Sequence, residues 1–321
     1  MKCLVTGAAG FVGSSLCDRL VSKGNTVIGL DCFLNYYPRA LKELNLSALN
    51  NNKNFSLVEA DILGADLPKL LDGVDVVFHQ AGQAGVRASW GEYFKTYTDN
   101  NILATQKLLE AARSLKKPPR IVYASSSSVY GDAESYPTHE KMVPSPLSPY
   151  GVTKLAAEHL VSLYASQFGL NTISLRYFTV FGPRQRPDMA FTKFCYKALK
   201  GEEIVIFGDG NQSRDFTFID DIVSANLLAA EAGKSGGVYN IGGGTNATVN
   251  EVLDILKKLS GPLSIRYSEK MVGEARKTSA DTTKAKVDLG FSPKVSLEEG
   301  IAAQYQWMKD LLKSGVPYSV L

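Results

Sequence analysis

Histidine is scarce in this sequence. His79, His139 and His159 are the only three, and they stand far apart. Cysteine is nearly as rare: Cys3, Cys17, Cys32 and Cys195 are scattered, with no CxxC spacing. No metal-ligand pattern emerges from either residue type. Scattered thiols of this kind are expected to be free, in a reducing cytoplasm. Charge of one sign is also lacking. The formal net charge is +3 over 321 residues, and the Lys-Lys pairs at 116–117 and 257–258 are the longest basic blocks. Solvated helix ends account for such pairs, so nucleic acid is not an expected partner. No apolar run reaches membrane-spanning length. The apolar start of the chain carries three glycines and reads as a buried strand instead of a secretion signal. Internal repeats and low-complexity tracts are absent. What remains, 45% hydrophobic and 21% charged residues, is the composition of an ordinary globular chain, long enough for a large core and two lobes.

The most informative stretch is residues 2–31. The run KCLVT reads as a strand, GAAGFVG as a turn with Gly7, Gly10 and Gly13, and the next residues as a helix with Leu16, Leu20 and Val21 on one side. Gly24 and Asn25 break that helix, and the strand TVIGL follows, ending at Asp31. Gly7 permits a tight turn, Gly10 lets backbone approach a pyrophosphate, and Gly13 lets the helix pack against the sheet. The helix start offers free N–H groups to phosphates. Asp31, eighteen residues past Gly13, is placed to accept hydrogen bonds from an adenosine ribose. Glycines packed for steric reasons alone would explain the triplet. They would not explain the strand before it, the helix after it and the acid at the end of the next strand.

Strand and helix signals alternate through the first half. FSLVEA ends at Asp61, VDVVFH ends at His79, RIVYAS runs into Ser125–Ser128, and NTISLRY runs into Phe178 and Thr179. Helical patterns fill the gaps, most clearly over 101–115 and 150–168. This predicts an α/β fold: a doubly wound, Rossmann-type parallel sheet, with ligands beyond the carboxyl ends of the strands. After Thr179 the pattern changes. FGPRQRPDM is turn-rich, 188–200 is helical, IVIF is a short strand, 219–232 is a long helix and GVYNIG is one more sheet strand. From about 246 the chain reads as short helices with one strand. The expected division is a cofactor domain of 1–179 plus about 215–245, and a smaller, C-terminal substrate lobe of about 180–214 plus 246–321.

Tyr150 and Lys154, four residues apart at the start of a helix pattern, share one helical face. A tyrosine with its ordinary pKa of about 10 is a poor base, and bringing it near 7 needs roughly 4 kcal/mol of bias toward the phenolate. A nearby lysine ammonium and a positive nicotinamide would both push that way. The pair alone is common on amphipathic helices. Ser125 to Ser128 add a hydroxyl cluster at the ligand end of the sheet, where local side chain–backbone bonding is the plainer alternative. Together with the glycine turn they point to proton and hydride transfer at a sugar hydroxyl.

With these residues in view, the chain resembles the extended short-chain dehydrogenase/reductase superfamily, in its sugar-nucleotide epimerase and dehydratase branch. The matching segments are TGAAGFVG at 6–13, Asp31, HQAG at 79–82, SSSSVYG at 125–131, YGVTK at 150–154 and RDFTFIDD at 214–221. The resemblance implies NAD as cofactor, a cytoplasmic homodimer, and Ser126 as the catalytic hydroxyl beside Tyr150 and Lys154. It implies that NAD is held by Gly7, Gly10, Phe11, Val12, Gly13, Asp31, Asn35, Asp61, Ile62, Gln80, Ala81, Gly82 and Asn101, with Tyr150 and Lys154. Dehydratases of the branch place an acidic residue just after the catalytic hydroxyl. Ser127 and Ser128 stand there, which disfavours elimination.

HQAGQAGVR at 79–87, SWGEYF at 89–94 and FTVFGPRQRPDMAF at 178–191 look most like UDP-glucuronate 4-epimerases. UDP-glucose 4-epimerases of the branch usually carry Asn in place of Thr179. A uronic acid must have its carboxylate met by donors. Ser127, Ser128 and Thr179 donate without adding negative charge, and Arg186 adds a charge-assisted bond. Arg186 is equally placed for a surface loop or a diphosphate. Arg87 is a second candidate for the sugar or phosphate region. Arg214 and Arg276 resemble the family's diphosphate-binding arginines, and Glu274 stands where an acid often meets the uridine ribose. UDP-glucose or UDP-N-acetylglucosamine epimerisation and UDP-glucuronate decarboxylation remain alternatives. So does a non-catalytic NAD-binding regulator, although such a protein should have lost Tyr150 or Lys154. The apolar stripes of 101–115 and 150–168 fit either a four-helix dimer interface or core packing.

Overall fold

A computed structural model describes residues 1–269, 275–316 and 318 of the chain. Six strands alternate with helices in the first half: β1 (Lys2–Thr6), α1 (Phe11–Ser22), β2 (Thr26–Asp31), α2 (Arg39–Leu46), β3 (Phe55–Glu59), α3 (Leu67–Leu71), β4 (Val76–His79), α4 (Phe94–Tyr97), α5 (Ala104–Arg113), β5 (Arg120–Ser126), α6 (Pro149–Phe168) and β6 (Thr172–Tyr177). The rest runs β7 (Thr179–Phe181), α7 (Ala190–Lys200), β8 (Ile204–Phe207), β9 (Ser213–Phe218), α8 (Ile219–Ala232), β10 (Gly237–Ile241), β11 (Thr245–Thr248), α9 (Val249–Ser260), β12 (Ile265–Ser268), α10 (Thr283–Leu289) and α11 (Leu297–Lys313).

The main sheet has seven parallel strands in the order β10-β6-β5-β4-β1-β2-β3. Its central strands are apolar runs buried on both faces, as a parallel sheet between helices requires: β4 is buried throughout, as are residues 3–6 of β1. α1 and α8 pack on one face, and α3, α5 and α6 on the other. The strand order reverses between β1 and β4, and that point opens the crevice where ligands bind in such sheets.

Tyr177 ends β6. Two residues later the chain enters a second sheet of three strands, β11-β9-β7, and β8 pairs with β12 in a third. Strand β10 returns to the main sheet beside β6, as its pattern predicts. The tail differs from expectation. It holds two strands, β11 and β12, and its helices are longer than predicted: α9 has 12 residues and α11 has 17. Both open on capping boxes, Thr248 with Glu251 and Ser296 with Glu299, which satisfy N–H groups at both helix starts. Among the described residues, no helix is long and apolar enough to cross a membrane.

Candidate active site

A cavity of about 830 Å³ runs from the glycine turn, past the carboxyl ends of the main strands, to the small sheets. Its volume is near the upper end of the range of small-molecule and cofactor sites, about 300–1,000 Å³.

The cofactor end is shaped by glycine. Gly7 has φ +68°, and a Cβ there would lie 2.8 Å from the Ala81 nitrogen, so the turn rests directly on the end of β4. A Cβ on Gly13 would come within 2.0 Å of the Gly7 carbonyl oxygen. Gly13 therefore seats α1 on the turn itself, where the sequence predicted packing on the sheet. Gly10 is the N-cap of α1 and supplies no side-chain cap, and no acid stands in the first turn. The helix start keeps N–H groups for an anion. This cradle fits the diphosphate of NAD.

Asp31 ends β2, and its carboxylate accepts from the Ala9 N–H at 2.9 Å and the Phe33 N–H at 2.8 Å. It thus ties the glycine turn to the loop after β2. Lys42, which the sequence did not flag, lines the cavity beside it and donates to the Leu34 carbonyl. Phe11, Val12, Asp61, Ile62, Gln80, Ala81, Gly82 and Asn101 also line the cavity. Asn35 does not: it is exposed, while its neighbours Leu34 and Tyr36 form the wall. Asn101 sits in a π-helical turn, Thr98–Leu103, that precedes α5. It donates to the Gln83 carbonyl and the Thr153 hydroxyl, joining the loop after β4 to α6. His79 is locked between the hydroxyls of Thr6 and Thr105, and burial depresses it to about 3, so it is a neutral structural group.

At the centre, α6 begins with Ser148 capping the Gly151 N–H and Pro149 in the first turn. Tyr150 is thereby held at the cavity wall, its ring edge-on to Tyr97. Burial pushes its phenol up; the neighbouring Ser126 hydroxyl and the positive charge of Arg186 pull it down. Lys154 is buried one turn later, with its ammonium 4.3 Å from the centre of the Tyr123 ring. Burial lowers it to about 7, against the pull of Glu158 a further turn along. The sequence predicted that the Lys154 ammonium would favour the Tyr150 phenolate. Burial instead weakens the charge on Lys154, and the favourable charge on Tyr150 comes from Arg186. Glu158 is held in place by Ser125 at 2.6 Å and by a buried ion pair with Arg176 at 2.6 Å.

The serine run splits at Ser126. That residue ends β5 and accepts from the Ser128 N–H, and Ser127–Val129 form a 3₁₀ turn. Ser126, Ser127, Ser128, Thr179 and Arg186 all line the cavity. Arg186 is not a lone cation. Its Nε and Nη2 each donate to the Asp188 carboxylate at 2.9 Å, and Tyr36 donates to the same carboxylate at 3.3 Å. The sequence missed both partners.

At the far end, Arg87 lies over the Phe207 ring at 4.9 Å, and both residues line the cavity with Lys193 and Arg214. Arg276 does not reach the wall. It is exposed, its carbonyl accepts from Arg214, and its neighbours Ala275 and Thr278 do the lining. Glu274 lies outside the described residues. Among the described residues, no cluster of His, Cys, Asp or Glu could hold a metal ion.

Residues 3–242 match the family described as "NAD dependent epimerase/dehydratase family". A UDP-glucuronic acid 4-epimerase from Bacillus cereus, solved with UDP-glucuronic acid and NAD, is 45% identical and superposes with a TM-score of 0.94, over 97% of this chain and all of that one. A UDP-glucuronate 4-epimerase of Thermodesulfobacterium geofontis is 38% identical over 97% of this chain and 98% of its own length. A Bacillus subtilis protein named "Uncharacterized UDP-glucose epimerase YtcB" is 45% identical over 97% of this chain and 99% of its own.

Proposed function

The chain belongs to the NAD-dependent epimerase/dehydratase family and is a UDP-sugar 4-epimerase, and we propose that its sugar is glucuronate, interconverted with galacturonate. The observation that carries this reading is the donor set of the cavity. Arg186, Ser127, Ser128 and Thr179 all line it and offer donors for a C6 carboxylate, and Arg186 is close enough for its charge to act on Tyr150. The B. cereus and T. geofontis relatives support the same sugar.

NAD, when bound, supplies the hydride acceptor and donor. The chain's part is the proton. Tyr150 takes it from the C4 hydroxyl as the C4 hydrogen leaves, Ser126 holds the reacting oxygen, and Tyr150 returns the proton once the 4-keto sugar presents its other face. Arg186 supports the phenolate, and Lys154 meets the ribose side of the cofactor. Arg87 and Arg214 meet the UDP diphosphate, with Arg276 at the rim. Asp31, the glycine turn, Asp61, Ile62 and Gln80–Gly82 hold the cofactor. The cofactor domain is 1–179 plus about 215–245, and the substrate lobe is the remainder. Oxidising C4 of glucuronate creates a β-keto acid, so Arg186 and the hydroxyls must also hold the carboxylate where C–C cleavage is disfavoured. Exposed Leu103, Val152 and Leu163 are the face on which a second copy would dock as a homodimer.

A neutral UDP-hexose is the second reading, and Asp188 favours it, because the Arg186–Asp188 pair has no net charge. Incubating purified protein with UDP-glucuronate, UDP-glucose and UDP-N-acetylglucosamine, and resolving the products by NMR, separates the two. Arg186→Ala should lower kcat/KM on UDP-glucuronate roughly 30-fold or more, since one member of a buried charge pair is worth about 2–5 kcal/mol. UDP-glucose should lose less, only the part that Arg186 contributes through its charge on Tyr150. Equal loss on both would place Arg186 on Tyr150, the diphosphate or the loop, and would remove the physical support for glucuronate.

A further inference from the structure

We infer that Asp188 sets the sugar preference of this site by competing with the substrate for Arg186. The inference rests on the reading of Arg186 as the group that meets the C6 substituent. Arg186 and Asp188 are both largely enclosed, their side chains 19% and 22% exposed, and both line the cavity. Their pairing is bidentate, two bonds of 2.9 Å, and uses two of the three guanidinium nitrogens. Burial works against the charge on Asp188, and Arg186 more than offsets it, so the carboxylate stays ionised. The wall therefore offers a C6 substituent a cation already answered by an anion.

The carboxylate cannot simply swing away when a uronate arrives, because its loop is tied on several sides. Tyr36, from the loop after β2, holds it at 3.3 Å. Two residues before Arg186, Arg184 pairs with Asp18 of α1 at 2.7 Å. Between them, Gln185 bonds the Val180 carbonyl and receives a hydrogen bond at 2.8 Å from the buried Gln304 of α11. A C6 carboxylate would have to share Arg186 with a fixed like charge, whereas a hydroxymethyl group could donate its O–H to Asp188 without repulsion. Like charges set side by side at such a site disfavour the wrong partner strongly. On this account Asp188 moderates a preference that Arg186 creates. It is a positioning and specificity residue, not a catalytic one.

The test uses NAD-loaded enzyme and kcat/KM on UDP-glucuronate and UDP-glucose for wild type, Asp188→Asn and Arg186→Ala. Asp188→Asn keeps the shape and removes the charge. The ratio of kcat/KM for glucuronate over glucose should rise about tenfold, mainly through a lower KM for glucuronate. Asp188→Ser, smaller and equally neutral, gives the same readout where the amide disturbs the loop. Asp188→Glu retains the charge and should leave the ratio near wild type. A ratio that stays flat or falls in both neutral variants, including equal loss on both sugars, makes Asp188 a mere prop for the loop and overturns the inference. If Arg186→Ala is selective while the neutral Asp188 variants are not, only this inference fails. If Arg186→Ala harms both sugars equally, its premise fails as well.

Discussion

Replacing Lys154 with methionine should make the cofactor-free protein more stable while destroying its activity. Lys154 is buried, and burial lowers it from its usual 10.5 to about 7. A shift of that size in a buried ammonium is on the order of 5 kcal/mol of bias against the charged form. Linkage gives the sign. Between about 7 and 10.5 the unfolded chain binds a proton that the folded chain does not, so stability rises with pH across that window. Below about pH 7 the folded protein carries the full penalty. Methionine has a similar length, is apolar, and fits against the Tyr123 ring that Lys154 already touches. Glu158 is not orphaned by the change, because Arg176 and Ser125 keep it bonded. Part of the penalty is relaxed by local adjustment, which leaves about 1–3 kcal/mol of expected gain at pH 7, or a few degrees in Tm for a chain of this size. The assay is thermal unfolding of NAD-stripped wild type and Lys154→Met at pH 6.5, 7.5 and 9. The gain should be largest at pH 6.5 and shrink at pH 9. A variant less stable than wild type at pH 6.5, or a gain that grows with pH, would refute the reasoning.

Tyr150→Phe should keep its fold and its NAD while losing about 10²–10⁴-fold in kcat, the usual worth of a general acid–base group. Near wild-type rates in a folded variant would make another group the base. NAD should reconstitute activity at least tenfold better than NADP, because a 2′-phosphate would meet the carboxylate of Asp31, already committed to Ala9 and Phe33. Lys42 beside it is bound to the Leu34 carbonyl and offers limited relief. Equal activity with NADP would count against Asp31 as the selecting group, and turnover without added stoichiometric NAD is expected throughout.

Much of the cofactor half was legible because its signals are local. A glycine triplet between a strand and a helix, an acid at the next strand's end, and Tyr and Lys one turn apart all fix their geometry within a few residues. What escaped was of two kinds. Some signals were short enough to read but were passed over, such as the capping boxes Thr248-x-x-Glu251 and Ser296-x-x-Glu299 that announce α9 and α11. Others depend on tertiary burial. Spacing puts Lys154 beside Tyr150, but only the packed structure reveals how strongly burial lowers Lys154. The family resemblance implied Asn35 as a cofactor residue, yet Asn35 is exposed, and Phe33 two residues before it has φ +51°.

The sugar end was least legible because no single segment builds it. Arg186 comes from the loop between β7 and α7, its counter-charge from two residues further on, and the phenol that steadies that charge from Tyr36, 152 residues away from Asp188 in sequence. The same loop is held to α1 through Asp18 and to the last helix through Gln304, whose side chain is fully buried and bonded to Gly182, Gln185 and Thr192. Gln304 lies within an ordinary amphipathic pattern, and nothing in its neighbours marks it as part of a substrate site. On the reading proposed above, chemistry at C4 uses Tyr150, Ser126 and a nicotinamide in fixed relation, and the two residues sit at a helix start and a strand end beside one sheet. Discrimination at C6 would rest instead on a loop braced between both halves of the chain. Substitutions of Gln304 in α11 or Asp18 in α1, neither of which lines the cavity, should therefore alter which sugar is turned over before they alter whether one is.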